Sequence, residues 1–157
     1  WHLPVDGSPP ANTMSMATVA FPLNSTILSR NAERAAYLVQ LTAGDPPIYE
    51  LHLANVDGSG DVTYATGPLD IYGWGTDGEY FLYSDADPNP KIGQYGGGSI
   101  PLASVTKLIN ASWVDESRFF FQSKSGANFE LWLGEVGAPS TSIDSTTTGM
   151  ISYDFSD

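Results

Sequence analysis

The residues equipped for chemistry are two histidines, a short run of oxygen ligands and several scattered carboxylates. His52 alternates with Glu50 in Ile48-Tyr49-Glu50-Leu51-His52-Leu53, so a strand would carry both on one face. A histidine beside a carboxylate is the start of a base or a metal site. No Gly-x-Ser-x-Gly elbow supplies a nucleophile, and His2 sits in a proline-rich arm. A solvated strand face therefore explains Glu50 and His52 better than a triad or a metal. Asp85, Asp87 and Asn89 occupy positions 1, 3 and 5 of a calcium-loop pattern. Pro90 replaces the glycine at position 6 and Gly96 the glutamate at position 12, so they form only a weak calcium candidate. A turn capped by its own Asp and Asn side chains needs no metal.

Gly96-Gly97-Gly98 offers backbone amides to an anion, but no helix or P-loop lysine follows, and a hairpin tip is the simpler reading. Asp70, Asp77, Asp115 and Glu116 would serve a glycosidase only if paired at about 5–9 Å, a separation that spacing along the chain does not supply. With no cysteine, thiol nucleophiles, disulfides and thiolate metal sites are excluded. The sequence predicts no catalytic residue, no cofactor and no firm metal site.

What must position these groups is a block written three times: Ser29 to Gly58, Trp74 to Gly98 and Trp113 to Val136. Trp74-Gly75-Thr76-Asp77-Gly78-Glu79-Tyr80-Phe81-Leu82-Tyr83-Ser84 is answered by Trp113-Val114-Asp115-Glu116-Ser117-Arg118-Phe119-Phe120-Phe121-Gln122-Ser123. Ser84 and Ser123 are 39 apart, Val39 and Ser84 45 apart, the period of four-stranded propeller blades. Tyr80 to Tyr83 and Phe119 to Phe121 read as strands covered on both faces, whereas Phe129-Glu130-Leu131-Trp132-Leu133 alternates as a half-exposed strand does. Asp57-Gly58-Ser59-Gly60, Asp77-Gly78 and Ser125-Gly126-Ala127-Asn128 are turn chemistry. Asn31 to Leu41 is rich in helix formers, but its place in the repeat predicts a strand imposed by neighbouring blades.

The chain has 157 residues, enough for one sizeable core, with 41% hydrophobic residues and a net charge of −12. That charge repels nucleic acid and anionic membranes and promotes solubility. No run of about 18 apolar residues marks a transmembrane span. Sequons at Asn24-Ser25-Thr26 and Asn110-Ala111-Ser112, a Ser-, Thr-, Gly- and Pro-rich composition, and a first residue, Trp1, that is not Met point to an extracytoplasmic protein, periplasmic or secreted.

Several segments resemble the TolB-type propeller repeat. Leu82 to Ile92 is similar to its "YxSDRDGNPxIY" segment, Trp74 to Tyr80 to "WSPDGKxI", Ser123 to Trp132 to "SxxxGNxELY" and Leu53 to Ser59 to "MNADGS". The resemblance covers about Thr26 to Ile151, although no copy keeps the full Ser-Pro-Asp-Gly and Gly93 to Gly98 departs from the usual hydrophobic strand ending. It implies the blade fold, not TolB's role.

The expected organisation is a Pro-rich arm at 1–15, then TolB-like blades over 16–157. The blades fall at about 26–66, 69–108 and 109–148, followed by the first strand of a further blade. Met16 to Phe21 is expected to be the outer strand of a preceding blade, and Ile151 to Phe155 the opening of a following one. The fold class is all-β: three four-stranded antiparallel blades in an incomplete or partner-completed ring, since closed rings need about four to eight blades. Trp74 and Trp113 are expected in inter-blade core, and Trp1, Trp132 and Phe155 are the partner-binding candidates. The functional expectation is a non-catalytic scaffold or protein-binding module, completed by a protein partner or by self-association. An accessory propeller segment of a prolyl oligopeptidase-like hydrolase is the alternative. A small glycan-binding propeller would repeat its aromatic on every blade, and aligning Trp132 with Leu53 and Tyr95 shows no such repeat.

Overall fold

A computed structural model describes residues 23–85, 90–102, 105 and 107–146. Twelve strands form three four-stranded sheets, with every neighbouring pair antiparallel and in chain order. The first holds β1 Leu23–Leu28, β2 Arg34–Thr42, β3 Ile48–Asn55 and β4 Val62–Gly67. The second holds β5 Asp70–Trp74, β6 Tyr80–Ser84, β7 Lys91–Gln94 and β8 Ser99–Pro101. The third holds β9 Leu108–Trp113, β10 Arg118–Ser125, β11 Asn128–Glu135 and β12 Ala138–Thr146. No described residue is helical. The expected segments at Met16 to Phe21 and Ile151 to Phe155 lie outside the described residues.

The opening strands touch, β1 with β5 and β5 with β9, so successive sheets radiate from a shared inner line. Two cores fill the wedges between them. The first joins Leu38, Leu51 and Leu53 of the first sheet to Trp74, Phe81 and Tyr83 of the second. The second joins Leu82 and Ile92 to Phe119 and Phe121 of the third. Phe81 and Tyr83 thus face one wedge while Leu82 faces the next, so β6 is buried on both faces, as its continuous apolar run predicts. Burying one such side chain contributes about 1.5–3 kcal/mol, which is how the sheets hold together without disulfides.

The helix-prone stretch is β2. Ala35 to Val39 are five consecutive buried residues, and covering both faces outweighs the helix preference of alanine.

The three sheets share one register, fixed by two backbone bonds. Ser29, Gly75 and Val114 donate to the carbonyls of Arg34, Tyr80 and Arg118 across the first turn. Val56, Tyr95 and Val136 donate to those of Glu33, Glu79 and Ser117 across the outer seam. Within the first turn Asn31, Asp77 and Asp115 each accept from the amide two residues on, at 3.2, 2.9 and 2.9 Å. The acid of the Ser-Pro-Asp-Gly motif survives in the second and third sheets as a turn-capping oxygen, and the Asn31 amide supplies that oxygen in the first.

Candidate functional site

The shared register revises which residues are equivalent. Phe119 pairs with Gly134, Phe81 with Gly93 and Ala35 with Ala54. Two residues earlier on the third strand of each sheet come Trp132, Lys91 and His52, lying opposite Phe121, Tyr83 and Tyr37. Trp132 is therefore matched by His52 and Lys91, not by Leu53 and Tyr95. Sequence spacing misses this because the hairpins joining the second and third strands differ in length, Glu33 to Val56 spanning 23 residues, Glu79 to Tyr95 16 and Ser117 to Val136 19. The corrected positions still carry three different side chains, so a tryptophan site does not recur from blade to blade.

Each of the three makes a polar bond on the same side of its sheet. His52 lies 3.0 Å from Asp61 through Nδ1 and 3.3 Å from Glu50 through Nε2, and stacks on Tyr37 at 5.0 Å. Glu50 and His52 do share a face, with the imidazole bridging the Glu50 and Asp61 carboxylates rather than freely solvated. Both ring nitrogens point at carboxylates, which leaves neither for a nucleophile. Because Glu50 and Asp61 approach opposite nitrogens, one ion cannot collect all three groups, and no cluster of three or more metal-ligating groups occurs among the described residues. Burial, and next the Asp61 carboxylate, raise the Tyr37 hydroxyl above the ordinary phenol range. Lys91 donates to Asp85 at 2.6 Å. Trp132 Nε1 donates to Ser123 Oγ at 3.0 Å and Glu130 Oε2 at 3.2 Å, with its ring parallel to Phe121.

Trp132 is the one predicted partner-binding residue that the structure describes, since Trp1 and Phe155 lie outside the described residues. It forms the side of a cleft of about 400 Å³ between the outer parts of the second and third sheets. Ile92, Ile100, Pro101 and Leu102 line one wall; Trp132, Ala138, Pro139 and Ser140 line the other. Ile100 is 46% exposed. The flanking strands β8 and β12 pair only with β7 and β11, so each leaves an edge free of other described strands. An apolar cleft beside open edges suits an extended segment, which gains backbone bonds from an edge and side-chain contacts from the walls. The corresponding cleft between the first and second sheets is spanned by Tyr64, whose hydroxyl donates to Gly98 O at 2.5 Å.

The other sequence candidates disperse. Asp85 shares its carboxylate with Lys91, whose ammonium competes with any cation for the same oxygens, while Asp87 and Asn89 lie outside the described residues. Gly96-Gly97-Gly98 forms the tip of the β7–β8 hairpin. Asp77 and Asp115 cap turns of different sheets, Glu116 sits in the same turn as Asp115, and Asp70 begins β5 at the end opposite Asp77. Asp115 is held down to about 2 by the Ser117 amide and next by the Arg118 side chain, the signature of a turn anchor. Trp74 and Trp113 lie in the two inter-sheet cores as expected, Trp113 against Gly73 and Gly75. Asn110 lies within inner strand β9, its amide donating to Gln122 Oε1 at 3.4 Å, a poor setting for a glycan acceptor.

Three antiparallel four-stranded sheets radiating from their first strands are the blades of a β-propeller, with the ring not closed by the described residues. The particular likeness is to TolB from Acinetobacter baumannii, with a TM-score of 0.57 at 13% identity over 76% of this chain. That alignment covers 32% of the TolB chain, so this chain spans about a third of it. Two Hsv2 propeller structures also align, at lower scores. For Kluyvelomyces marxianus Hsv2 the TM-score is 0.46, at 13% identity, covering 73% of this chain and 40% of that one. For KlHsv2 with loop 6CD replaced by a Gly-Ser linker it is 0.47, at 9% identity, covering 82% and 46%. No protein-family model and no curated protein matches the sequence. The fold is thus TolB-like, with about three blades.

Proposed function

We propose that this chain is a non-catalytic, protein-binding propeller module working in an extracytoplasmic assembly, its blade array completed by a protein partner or by further copies of itself. The observation that carries this is the apolar cleft between the open edges of β8 and β12, with Trp132 on one side and the exposed Ile100 on the other. The unclosed ring supports it, because the outer faces of the first and third sheets meet no other described sheet. The proposed location rests on the Ser-, Thr-, Gly- and Pro-rich composition. No helix of the described residues is long and apolar enough to cross a membrane.

Native mass spectrometry of the protein from its source, beside its denatured mass, tests the reading. The expected result is a native particle heavier than its denatured chain, which Ile100→Asp dissociates. A native particle of a single chain, or an assembly indifferent to Ile100→Asp and Trp132→Ala, overturns it.

A further inference from the structure

We propose that a second cleft, between the inner ends of the second and third sheets, binds a small organic monoanion: a carboxylate carried on an apolar body. The cleft measures about 490 Å³, within the usual size of small-molecule sites. Its charged lining is Lys107, Lys124 and Asp70, and its apolar walls include Ile71, Leu108 and Phe129.

Charge placement carries the inference. The chain has three lysines in a background of net charge −12, and two of them meet here. They are 17 residues apart and are joined by the backbone, the Lys124 amide donating to the Lys107 carbonyl at 3.0 Å. Lys91, the third lysine, is bonded to Asp85. Among the described residues no carboxylate pairs with either Lys107 or Lys124, and the Lys124 ammonium lies 5.2 Å over the Phe129 ring. Two unpaired ammonium groups at one cleft reverse the local field of an otherwise acidic surface, which is where an anion would collect.

Asp70 sets the valence. It lines the same cleft without pairing to either lysine, so the lining carries a net charge of about +1. That matches one carboxylate and disfavours a dianion or polyphosphate. Tyr72 fixes one wall, its hydroxyl donating to the Leu108 carbonyl at 3.3 Å. The cleft is separate from the one at Trp132, so the two readings stand or fall independently.

Titrating the 157-residue chain with benzoate, benzyl alcohol and inorganic phosphate, read by calorimetry, tests the proposal. Benzoate is expected to bind saturably and benzyl alcohol not to. Lys107→Gln with Lys124→Gln should weaken benzoate by about tenfold or more, and Asp70→Asn should tighten it severalfold. Both lysines are exposed, so the double variant should keep the parent's unfolding midpoint. Absence of saturable benzoate binding, or binding unchanged in the double variant, overturns the site. Phosphate binding tighter than benzoate overturns the monoanion assignment. If the double variant fails to fold, Asp70→Asn alone decides, and benzoate affinity no tighter than the parent's overturns the proposal.

Discussion

The Phe119 ring lies directly on the bare backbone of Gly134: a Cβ added to that glycine would meet ring carbons at 2.4 Å. Phe81 and Gly93 repeat the relationship at 2.3 Å in the sheet before. In the first sheet the same slots hold Ala35 and Ala54, both fully buried. Large against nothing, twice, and small against small, once, are two ways of filling one space. The aromatic of the second strand and the residue facing it on the third are therefore chosen as a unit.

Gly134→Ala should destabilise the protein by about 1–3 kcal/mol, because the new methyl would meet the rigid, buried Phe119 ring rather than a flexible chain end. Phe119→Ala alone should cost about 3–5 kcal/mol through the cavity it leaves. The double variant recreates the Ala–Ala pair of the first sheet, so its loss should be smaller than the sum of the singles. Urea unfolding of the three variants measures the coupling. Additive losses would show that ring and glycine are not one unit.

The blade fold was legible because its signal is repeated: three aromatic or apolar strands between turn residues at near-constant spacing. The helix-prone β2 is legible as a strand only through that repetition. Equivalences between blades were not legible, since hairpins of unequal length between the second and third strands shift Trp132 away from the partners that spacing suggests. The clefts were less legible still. Trp132 stood out as an aromatic in an alternating strand, but Ile92 and Ile100 face it only through packing of separate sheets. Asp61 reaches His52 across the β3–β4 hairpin, and no local motif marks the pair. Lys107 and Lys124 come together through a backbone bond that no side-chain pattern announces.

Ala32 is the only described non-glycine residue with a left-handed backbone, at φ 55°, and its equivalent Gly78 has φ 76°. A side chain there costs about 1–2 kcal/mol, partly offset by the greater freedom glycine has when unfolded. Ala32→Gly should therefore stabilise the protein by about 0.5–1 kcal/mol. Gly78→Ala should do the reverse and more, because its Cβ would lie 3.0 Å from Arg34 Cγ and Ser29 Cβ. Thermal unfolding of the pair distinguishes the signs, and a destabilising Ala32→Gly would show that the turn gains nothing from glycine.

Asp115 gives the third turn a pH dependence. Its carboxylate accepts from the Ser117 amide at 2.9 Å and the Arg118 amide at 2.8 Å, and pairs with the guanidinium at 2.6 Å. The folded value of about 2 lies below the ordinary carboxyl value near 4. Stability from this group is thus fully present above about pH 4–5 and lost as pH falls towards 2. Asp115→Asn keeps an acceptor oxygen but not the charge. The gap in urea midpoint between parent and variant should be constant from pH 5 to 7 and close between pH 4 and 2. A gap that persists at pH 2 would assign the effect to turn geometry rather than charge.

Tyr64 spans the seam between the first two sheets, and its ring and hydroxyl make separable contributions. The ring packs edge-on against Phe81 at 5.0 Å and Tyr83 at 5.8 Å. The hydroxyl donates to Gly98 O at 2.5 Å and accepts from the Gln94 amide at 3.3 Å, tying β4 to the β7–β8 hairpin. Tyr64→Phe keeps the ring and removes both bonds, so it should cost about 1 kcal/mol and speed amide exchange at the Gly96 to Gly98 tip. Tyr64→Leu also loses the aromatic contacts and should cost about 1–2 kcal/mol more. If Tyr64→Phe changes neither stability nor exchange, ring packing alone holds this seam.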